Sequence, residues 1–215
     1  YNDIPDDTEE GRLARAHSNN SVAREPLELI AHVVRNERPF TEILTADYMV
    51  LNPFSARVYG ADLNFDDPLD PMEFREAKLP GLPHAGVLTS PMFLNRFPTT
   101  DTNLNRHRSR MVWDFFLATD ILKKADRPVD PTKIRDHNPT MNNPNCTVCH
   151  AEMDPLAGAF QNWDDRGRYR PPEEGWYLDM RPPGFGDEVI PTADWPRSLS
   201  WVAARITADE RFARS

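Results

Sequence analysis

The chain has 215 residues, which is enough for one domain, or for one domain with a large extension, around a real core. Its net charge of −9 and isoelectric point near 5.1 argue against a nucleic-acid-binding protein, since no basic stripe is present for phosphates. No apolar run approaches the ~20 residues that span a bilayer, so we predict no transmembrane segment. The chain opens without methionine, which indicates a processed or truncated form and leaves export open.

The first half of the chain shows several short helical patterns. Residues 1–20 are polar and charged, which is typical of an extended arm or the edge of a helix. Apolar residues at helical spacing predict a helix over 25–40. Residues 41–60 predict one or two short helices, broken near Pro53. A short helix or turn is predicted over 84–100.

The second half contains the strongest helical pattern, over residues 102–125, with no glycine or proline inside. Residues 126–145 are loop by composition, and a short helix should carry the cysteines that follow. Residues 160–198 hold many aromatic residues and prolines and are predicted to be irregular. A final helix is predicted over 196–215, with Ser198 as its cap.

The composition favours helices joined by long loops. The chain has 21 prolines but only 9 glycines, and 39% of its residues are hydrophobic, a low share for a compact domain. No alternating pattern is long enough to build a sheet. We therefore predict a mostly α fold with long Pro-rich loops, in which a large cofactor could supply part of the core surface.

The only two cysteines lie in the run "CTVCH", which is Cys146-Thr147-Val148-Cys149-His150. A C-x-x-C-H run is typical of covalently bound haem, because one helical turn presents both thiols to the ring edge and the histidine to the iron. Structural zinc is an alternative, but it usually needs four ligands, and the other histidines form no H-x-H or H-x-x-x-H pair. A thioredoxin-like dithiol should follow a strand, whereas a loop precedes this run. A disulfide here would close a tiny loop and stabilise little.

The stretch "CTVCHAEMDPLAGAFQNWDDRGRYR", residues 146–170, resembles the cytochrome-c-like domain of the planctomycete-type family. Members carry C-x-x-C-H, then a D-P-L-G-F-like stretch, then an N-F-D-x-x-G-R-W/Y-R-like stretch. Upstream, "TADYMVLNPFSARVYG", "GVLTSP" and "RSRMVWDFF" resemble the end of the family's helical domain, its linker and its long helix. The resemblance covers roughly residues 40–210. The chain departs from the pattern at Ala157-Gly158-Ala159, where Gly-Phe-Ala is common, and in a long Pro-rich insert after Arg170.

The resemblance implies a periplasmic or extracellular haem-c protein and little about its substrate. It divides the chain into an N-terminal arm and helical extension, residues 1–83, and a small cytochrome-c-like haem domain, residues 84–215. Cys146 and Cys149 are then the thioether anchors of one haem c, and His150 is the proximal iron ligand. Attachment outside the cytoplasm agrees with a chain that has no other thiols.

Further residues are candidates for the haem pocket. Aromatic residues after the motif are expected to line the porphyrin: Phe160, Trp163 and Tyr169. One of three arginines is expected to pair with a haem propionate, and these are Arg166, Arg168 and Arg170. Near Asp154-Pro155, a backbone carbonyl could accept the Nδ1–H of His150, while Pro155 could simply end the helix.

Met180 is the candidate sixth ligand of the iron. It lies well downstream of the motif, Pro182 and Pro183 stiffen the backbone after it, and Trp176 and Tyr177 could exclude water. Alternative ligands are Met111 and His107 on the long helix, or an open site.

The expected function is electron transfer through a single haem c, as an electron carrier rather than a catalyst, with redox partner proteins in a larger periplasmic or extracellular protein or complex. A haem-c peroxidase or oxidase is one alternative, although only one C-x-x-C-H is present. A structural subunit whose haem mainly stabilises the fold is the other.

Overall fold

The chain is mostly helical, as the sequence predicts. The structure is a computed structural model that describes residues 7–125, 130, 132, 134–172 and 178–214. The chain divides into two compact units, Tyr1–Phe93 and Leu94–Ser215. The sequence predicts a domain boundary between residues 83 and 84. In the structure, residues 84–93 pack with the first unit instead. No helix in the described ranges combines the length and apolar character needed to cross a membrane.

The first unit is built on one long helix, α1 (Glu9–Arg35). Thr8 caps it, because its side-chain oxygen accepts a backbone N–H three residues on at 3.0 Å. The helix therefore starts well before the predicted 25–40 range and includes most of the polar N-terminal segment. Ser18 and Ser21 are buried there, and each hydroxyl donates to the carbonyl four residues back. This local bonding lets polar residues face the core without an apolar pattern.

Short elements complete the first unit: α2 (Glu42–Thr45), β1 (Met49–Leu51), α3 (Pro53–Tyr59) and β2 (Arg75–Ala77). The two strands pair antiparallel. Pro53 begins α3 rather than breaking a helix, because the first helical position needs no N–H partner. Asn52 caps this helix through its side chain, and Gly60, at φ +64°, ends it. The prediction that the chain forms no sheet was wrong. Strands of three residues are too short to show an alternating pattern in the sequence.

The second unit is arranged around α7 (Pro144–Ala159). The other helices of this part of the chain are α4 (Pro91–Arg96), α5 (Arg106–Phe116), α6 (Pro139–Asn142) and α8 (Ser198–Ala208). A small antiparallel sheet consists of β3 (Gly184–Phe185) and β4 (Glu188–Val189). Helix α7 packs against α5, α6, α8 and β3, so it is the central element of the unit.

Two predicted helices differ from the structure. The helix predicted over 102–125 ends at Phe116, turns at Ala118 with φ +46°, and resumes as a 3-10 helix over Ile121–Lys124. Ser198 begins α8 but is not its cap. Its buried hydroxyl donates to the carbonyl of Ala159 at 2.6 Å, which ties α8 to the end of α7. Tertiary packing thus uses a hydroxyl that the sequence pattern assigns to capping.

Arg108 on α5 is a buried arginine that joins several segments of the second unit. Its side chain is fully buried. Its guanidinium donates to five oxygens, all 2.7–3.0 Å away: the carbonyls of Leu94, Phe97, Trp163 and Asp164 and the side chain of Asn105. Burial lowers the pKa of Arg108 to about 10, and Asp164 and Asp165 oppose this shift. The group therefore stays charged at neutral pH while it joins α4, α5 and the segment after α7.

We predict that Arg108→Met destabilises the second unit by on the order of 3 kcal/mol or more, because it leaves several buried carbonyls without donors. All five tryptophans lie beyond residue 94, so urea unfolding followed by tryptophan emission reports this unit. Arg110→Met on the same helix is the control, since Arg110 is partly exposed, and it should stay within about 0.5 kcal/mol of the parent. Equal midpoints for the two variants would contradict the role of Arg108.

Glu25 is a buried carboxyl group in the first unit. Its side chain is 3% exposed, and Oε2 accepts the hydroxyl of Tyr59 at 2.9 Å. Oε1 has no hydrogen-bond partner within the described ranges. Burial raises the pKa of Glu25 from 4.5 to about 8, against the opposing effect of the Tyr59 bond. The folded unit therefore holds this proton more tightly than the unfolded chain does.

Glu25 should make the first unit less stable as pH rises. Its contribution is fully present below about pH 4.5 and is lost as pH rises through about 8, because the folded state binds the extra proton in that window. Glu25→Gln cannot ionise, so at pH 8 we expect it to exceed the parent in stability by up to a few kcal/mol, and to match it near pH 5. Amide hydrogen exchange of α1 and α3 measures this difference.

The exposed Glu10→Gln serves as the charge control for that experiment, and it should keep the pH slope of the parent. Tryptophan emission, which reports the second unit, should show no difference between Glu25→Gln and the parent. If Glu25→Gln and the parent have the same pH slope in α1, Glu25 is not the buried acid that the structure indicates.

Candidate functional site

The start of α7 carries the C-x-x-C-H run, as the sequence predicts. Asn143 caps the helix by accepting the N–H of Asn145 at 2.9 Å. Cys146 and Cys149 are free thiols and are partly exposed. The thiol of Cys149 donates to the carbonyl of Ile121 at 3.3 Å, which fixes this turn against the 3-10 helix. The helix is exposed at its start and buried from Met153 onward, so the motif lies where α7 meets the surface.

His150 takes part in a three-residue polar chain. Its Nδ1 lies 2.8 Å from Oδ1 of Asp154, one turn further along α7. Arg106 on α5 donates to both oxygens of the same carboxylate, from Nε at 2.8 Å and from a terminal nitrogen at 3.0 Å. Because a carboxylate accepts at this position, Nδ1 carries the hydrogen. No described residue bonds Nε2 of His150, so this nitrogen is available as a ligand.

Asp154 is fully buried, and its environment keeps it ionised. Burial alone would raise the pKa of Asp154, but the hydrogen bonds from His150 and Arg106 outweigh it and lower that pKa. The anion is therefore stabilised by one charged partner and one ring N–H. The sequence gives no signal for Arg106, which lies 48 residues from Asp154.

Both expectations for Asp154-Pro155 need correction. The acceptor of the Nδ1–H is the carboxylate of Asp154 and not a backbone carbonyl. Pro155 lies inside α7, which continues to Ala159. Proline removes one helical hydrogen bond, but Leu156 and the small residues after it are buried, and this packing keeps the helix continuous.

The described residues from 178 onward, in the Pro-rich insert after Arg170, lead into β3, which packs against α7. Asn138, which precedes α6, donates from its side chain to Asp179 at 3.1 Å. Further on, Pro183 lies so close to Gly158 that a Cβ at this position would be 2.9 Å from the Cα of Pro183. Only glycine fits at this crossing without displacing backbone. Gly158 therefore marks a close backbone contact between α7 and the downstream segment.

Met180 lies within this segment and is buried, with 2% exposure. Its ligation of iron stays a prediction, as does that of Met111, which is half-buried on α5. His107 is exposed, and its ring packs against Phe97 at 5.1 Å between centroids. The expected aromatic wall of Trp176 and Tyr177 lies outside the described residues.

The three aromatic candidates lie in or beside the core that follows α7. Phe160 and Trp163 are buried, and Tyr169 is half-buried. Trp163 and Tyr169 meet edge to face at 5.6 Å and form an isolated backbone bridge. The Tyr169 hydroxyl donates to the carbonyl of Pro196 at 3.1 Å. The structure gives these rings a packing role, and their contact with a porphyrin stays a prediction.

The arginine candidates lie on a turn organised by Asp164. The carboxylate of Asp164 accepts the backbone N–H of Arg166 at 2.9 Å and of Arg168 at 2.8 Å. Both arginine side chains are exposed, and neither forms an ion pair with a described residue. Arg170 differs, because its Nε donates to the carbonyl of Gln161 at 3.1 Å. Arg166 and Arg168 are thus the two of the three whose side chains extend into solvent.

These side chains are less suited to a structural zinc site or to a redox dithiol. Over the described ranges, no three His, Cys, Asp or Glu side chains come together as a set that could hold a metal ion. A structural zinc site needs about four such ligands. Burial raises the pKa of the Cys149 thiol, although Lys124 and the backbone oppose the shift. A redox dithiol needs a lowered thiol pKa, so this environment does not favour one.

Two segments of the chain match family models. Residues 84–173 match PSCyt3, described as a protein of unknown function (DUF1588), and residues 1–61 match PSD4, described as a protein of unknown function (DUF1592). Both are planctomycete cytochrome-c-like families. The second match includes the first forty residues, which the resemblance in the sequence did not cover. Neither a curated protein nor a solved structure matches the chain significantly.

Proposed function

We propose that this protein transfers electrons through one haem c bound covalently at Cys146 and Cys149. The observation that carries the proposal is the start of α7, where two free thiols stand one turn apart beside an imidazole whose Nε2 has no partner among the described residues. This donor set fits haem c, because the thiols bind the ring edge and Nε2 of His150 binds the iron. When bound, the haem supplies one-electron oxidation and reduction.

Attachment needs no external oxidant or reductant. Each thiol adds across one vinyl double bond of the porphyrin, so that a sulfur–carbon bond forms and the thiol hydrogen moves to the neighbouring vinyl carbon. Cys146 and Cys149 are partly exposed, and both can therefore meet a ring that approaches from solvent. The hydrogen bond from Nδ1 to Asp154 holds the imidazole of His150 with Nε2 directed away from that carboxylate.

Exposed apolar side chains near the motif support a large apolar cofactor. They lie on α7 itself and on two elements that pack against it: Val148 (41% exposed), Met141 on α6 (36%) and Leu122 on the 3-10 helix (50%). Each of these side chains exposes apolar surface to water, and burying such surface is favourable. A porphyrin lying over the start of α7 would remove such side chains from water.

The family match adds support, because residues 84–173 include the C-x-x-C-H run. We propose that the D-P-L stretch at 154–156 and the N-W-D-D-R-G-R-Y-R stretch at 162–170 are further motifs of this family. Their local roles agree with this, since Asp154 bonds His150 and Asp164 organises its turn. A periplasmic or extracellular location and redox partner proteins in a larger assembly belong to the same proposal.

One observation favours a second candidate, a haem-c peroxidase or oxidase with an open sixth position. A carboxylate on Nδ1 makes the imidazole a stronger electron donor than a neutral acceptor does. Stronger donation to iron favours cleavage of an O–O bond. A high-spin ferric spectrum that responds to peroxide would favour this enzyme, and six-coordinate low-spin iron would favour electron transfer.

We predict that the exported protein carries one haem that acid–acetone cannot extract. Intact mass should exceed that of the polypeptide by one haem. Cys146→Ser and Cys149→Ser should each keep one thioether, which shifts the reduced alkaline pyridine spectrum, and the double variant should keep none. Thr147→Ser is the matched control and should behave as the parent. A parent protein that loses its colour to acid–acetone would contradict thioether attachment.

We predict that the sulfur of Met180 is the sixth ligand of the iron. Met180→Leu nearly preserves side-chain volume, so packing should change by less than about 1.5 kcal/mol while the sulfur is lost. The weak sulfur-to-iron band at the red end of the oxidised spectrum should disappear and the reduction potential should fall. Met153→Leu is the matched control, as a buried methionine on α7. If Met180→Leu keeps the band and the potential, Met180 is not the ligand, and Met111 and His107 are the next candidates.

A further inference from the structure

Three side chains from two helices form a continuous chain of hydrogen bonds that ends at the proposed iron ligand. Arg106 on α5 is 17% exposed, Asp154 on α7 is fully buried, and His150 on α7 is 20% exposed. All three hydrogen bonds lie between 2.8 and 3.0 Å. The outer surface is thus connected to the ring of His150 through a carboxylate that solvent does not reach.

We propose that Asp154, held by Arg106, is a positioning residue that fixes the orientation of His150 and sets how strongly its Nε2 donates electrons to the iron. This inference rests on the proposed function. It adds a specific determinant of the reduction potential, namely a charged pair on the side of the ring away from the iron.

The acceptor of the His150 Nδ1–H is the carboxylate of Asp154. A carboxylate carries a full negative charge, so it accepts the Nδ1–H more strongly than a neutral group does and makes the imidazole more electron-rich. A more electron-rich ligand stabilises ferric iron over ferrous iron. Asp154 should therefore lower the reduction potential.

Arg106 acts in the opposite direction. It donates to Oδ1, the same oxygen that accepts from His150, and also to Oδ2. This pairing draws electron density away from the oxygen that bonds His150. Removing Arg106 should therefore strengthen the Asp154–His150 bond and lower the potential further, so the two residues have effects of opposite sign.

The fold explains why this arrangement can persist. A lone carboxylate in the core would be costly, and the guanidinium compensates for its burial. The carboxylate also sits one turn after His150, which keeps it close to Nδ1 as long as α7 stays helical. The hydroxyl of Ser109 donates to the carbonyl of Met153 at 2.7 Å, which holds α5 against α7 beside the pair. The packing of the two helices thus sets the ring orientation.

The test uses the haem-loaded protein and the variants Asp154→Asn and Arg106→Gln. Two quantities are measured for each: the reduction potential, and the proton chemical shift of the His150 Nδ1–H in the reduced protein. Asp154→Asn should raise the potential and move the N–H signal upfield, while Arg106→Gln should lower the potential and move it downfield. An ion pair that acted only through its charge would also move the two potentials in opposite directions, but it would leave the N–H signal of both variants as in the parent.

Glu152→Gln is the matched control, because it removes one negative charge from α7 two residues from His150 and bonds Lys124 instead of the ring. It should leave the N–H signal unchanged. If Asp154→Asn does not fold, Arg106→Gln is compared with Arg106→Lys, which keeps the charge and should give the smaller shift.

The outcomes separate this inference from the proposed function. If Asp154→Asn carries covalent haem and keeps the N–H signal of the parent, the inference is wrong and the haem function stands, whatever the potential does. If the parent itself carries no covalent haem, the proposed function fails and this inference falls with it.

Discussion

The contact between α5 and α7 is the interaction on which the second unit depends. It joins helices from distant parts of the chain through two arginines that lie two residues apart on α5. Arg106 bonds a buried carboxylate on α7. Arg108 bonds the carbonyl of Leu94, which precedes α5 in the chain, and that of Trp163, which follows α7. Arg106 orients the imidazole of the candidate site, whereas Arg108 holds the backbone around it. Helix α5 thus supplies both the support of the site and part of the packing of the unit.

The sequence predicts the helical class well because helix formation depends on patterns within a few turns. The sequence pattern predicts a helix in the region of α5 and another that carries Cys146 and Cys149. The ends of helices are harder to predict, because they depend on single residues and on what surrounds them. Pro53 begins a helix and Pro155 lies within one, and the same residue type therefore has two outcomes that no local rule separates.

The candidate site was predictable in part for the same reason. The two thiols and His150 are neighbours in the sequence, so their chemistry can be read from their spacing. Arg106 and Asp154 are 48 residues apart, and only the packing of α5 on α7 brings them together. The burial of Arg108 has no signal in the sequence, because arginine is usually exposed. Its burial depends on five oxygens from three separate stretches, residues 94–97, Asn105 and residues 163–164, which no single-sequence pattern can indicate.

The crossing at Gly158 bears on how relatives of this chain can be compared. A Cβ at this position would meet the backbone of Pro183, so the path of the downstream segment and the absence of a side chain at 158 require each other. A relative with a side chain at the equivalent place must route its downstream segment elsewhere around the central helix. The residue at this position therefore indicates which path the downstream segment of a relative follows. Alignments that ignore it will match segments that occupy different places in space.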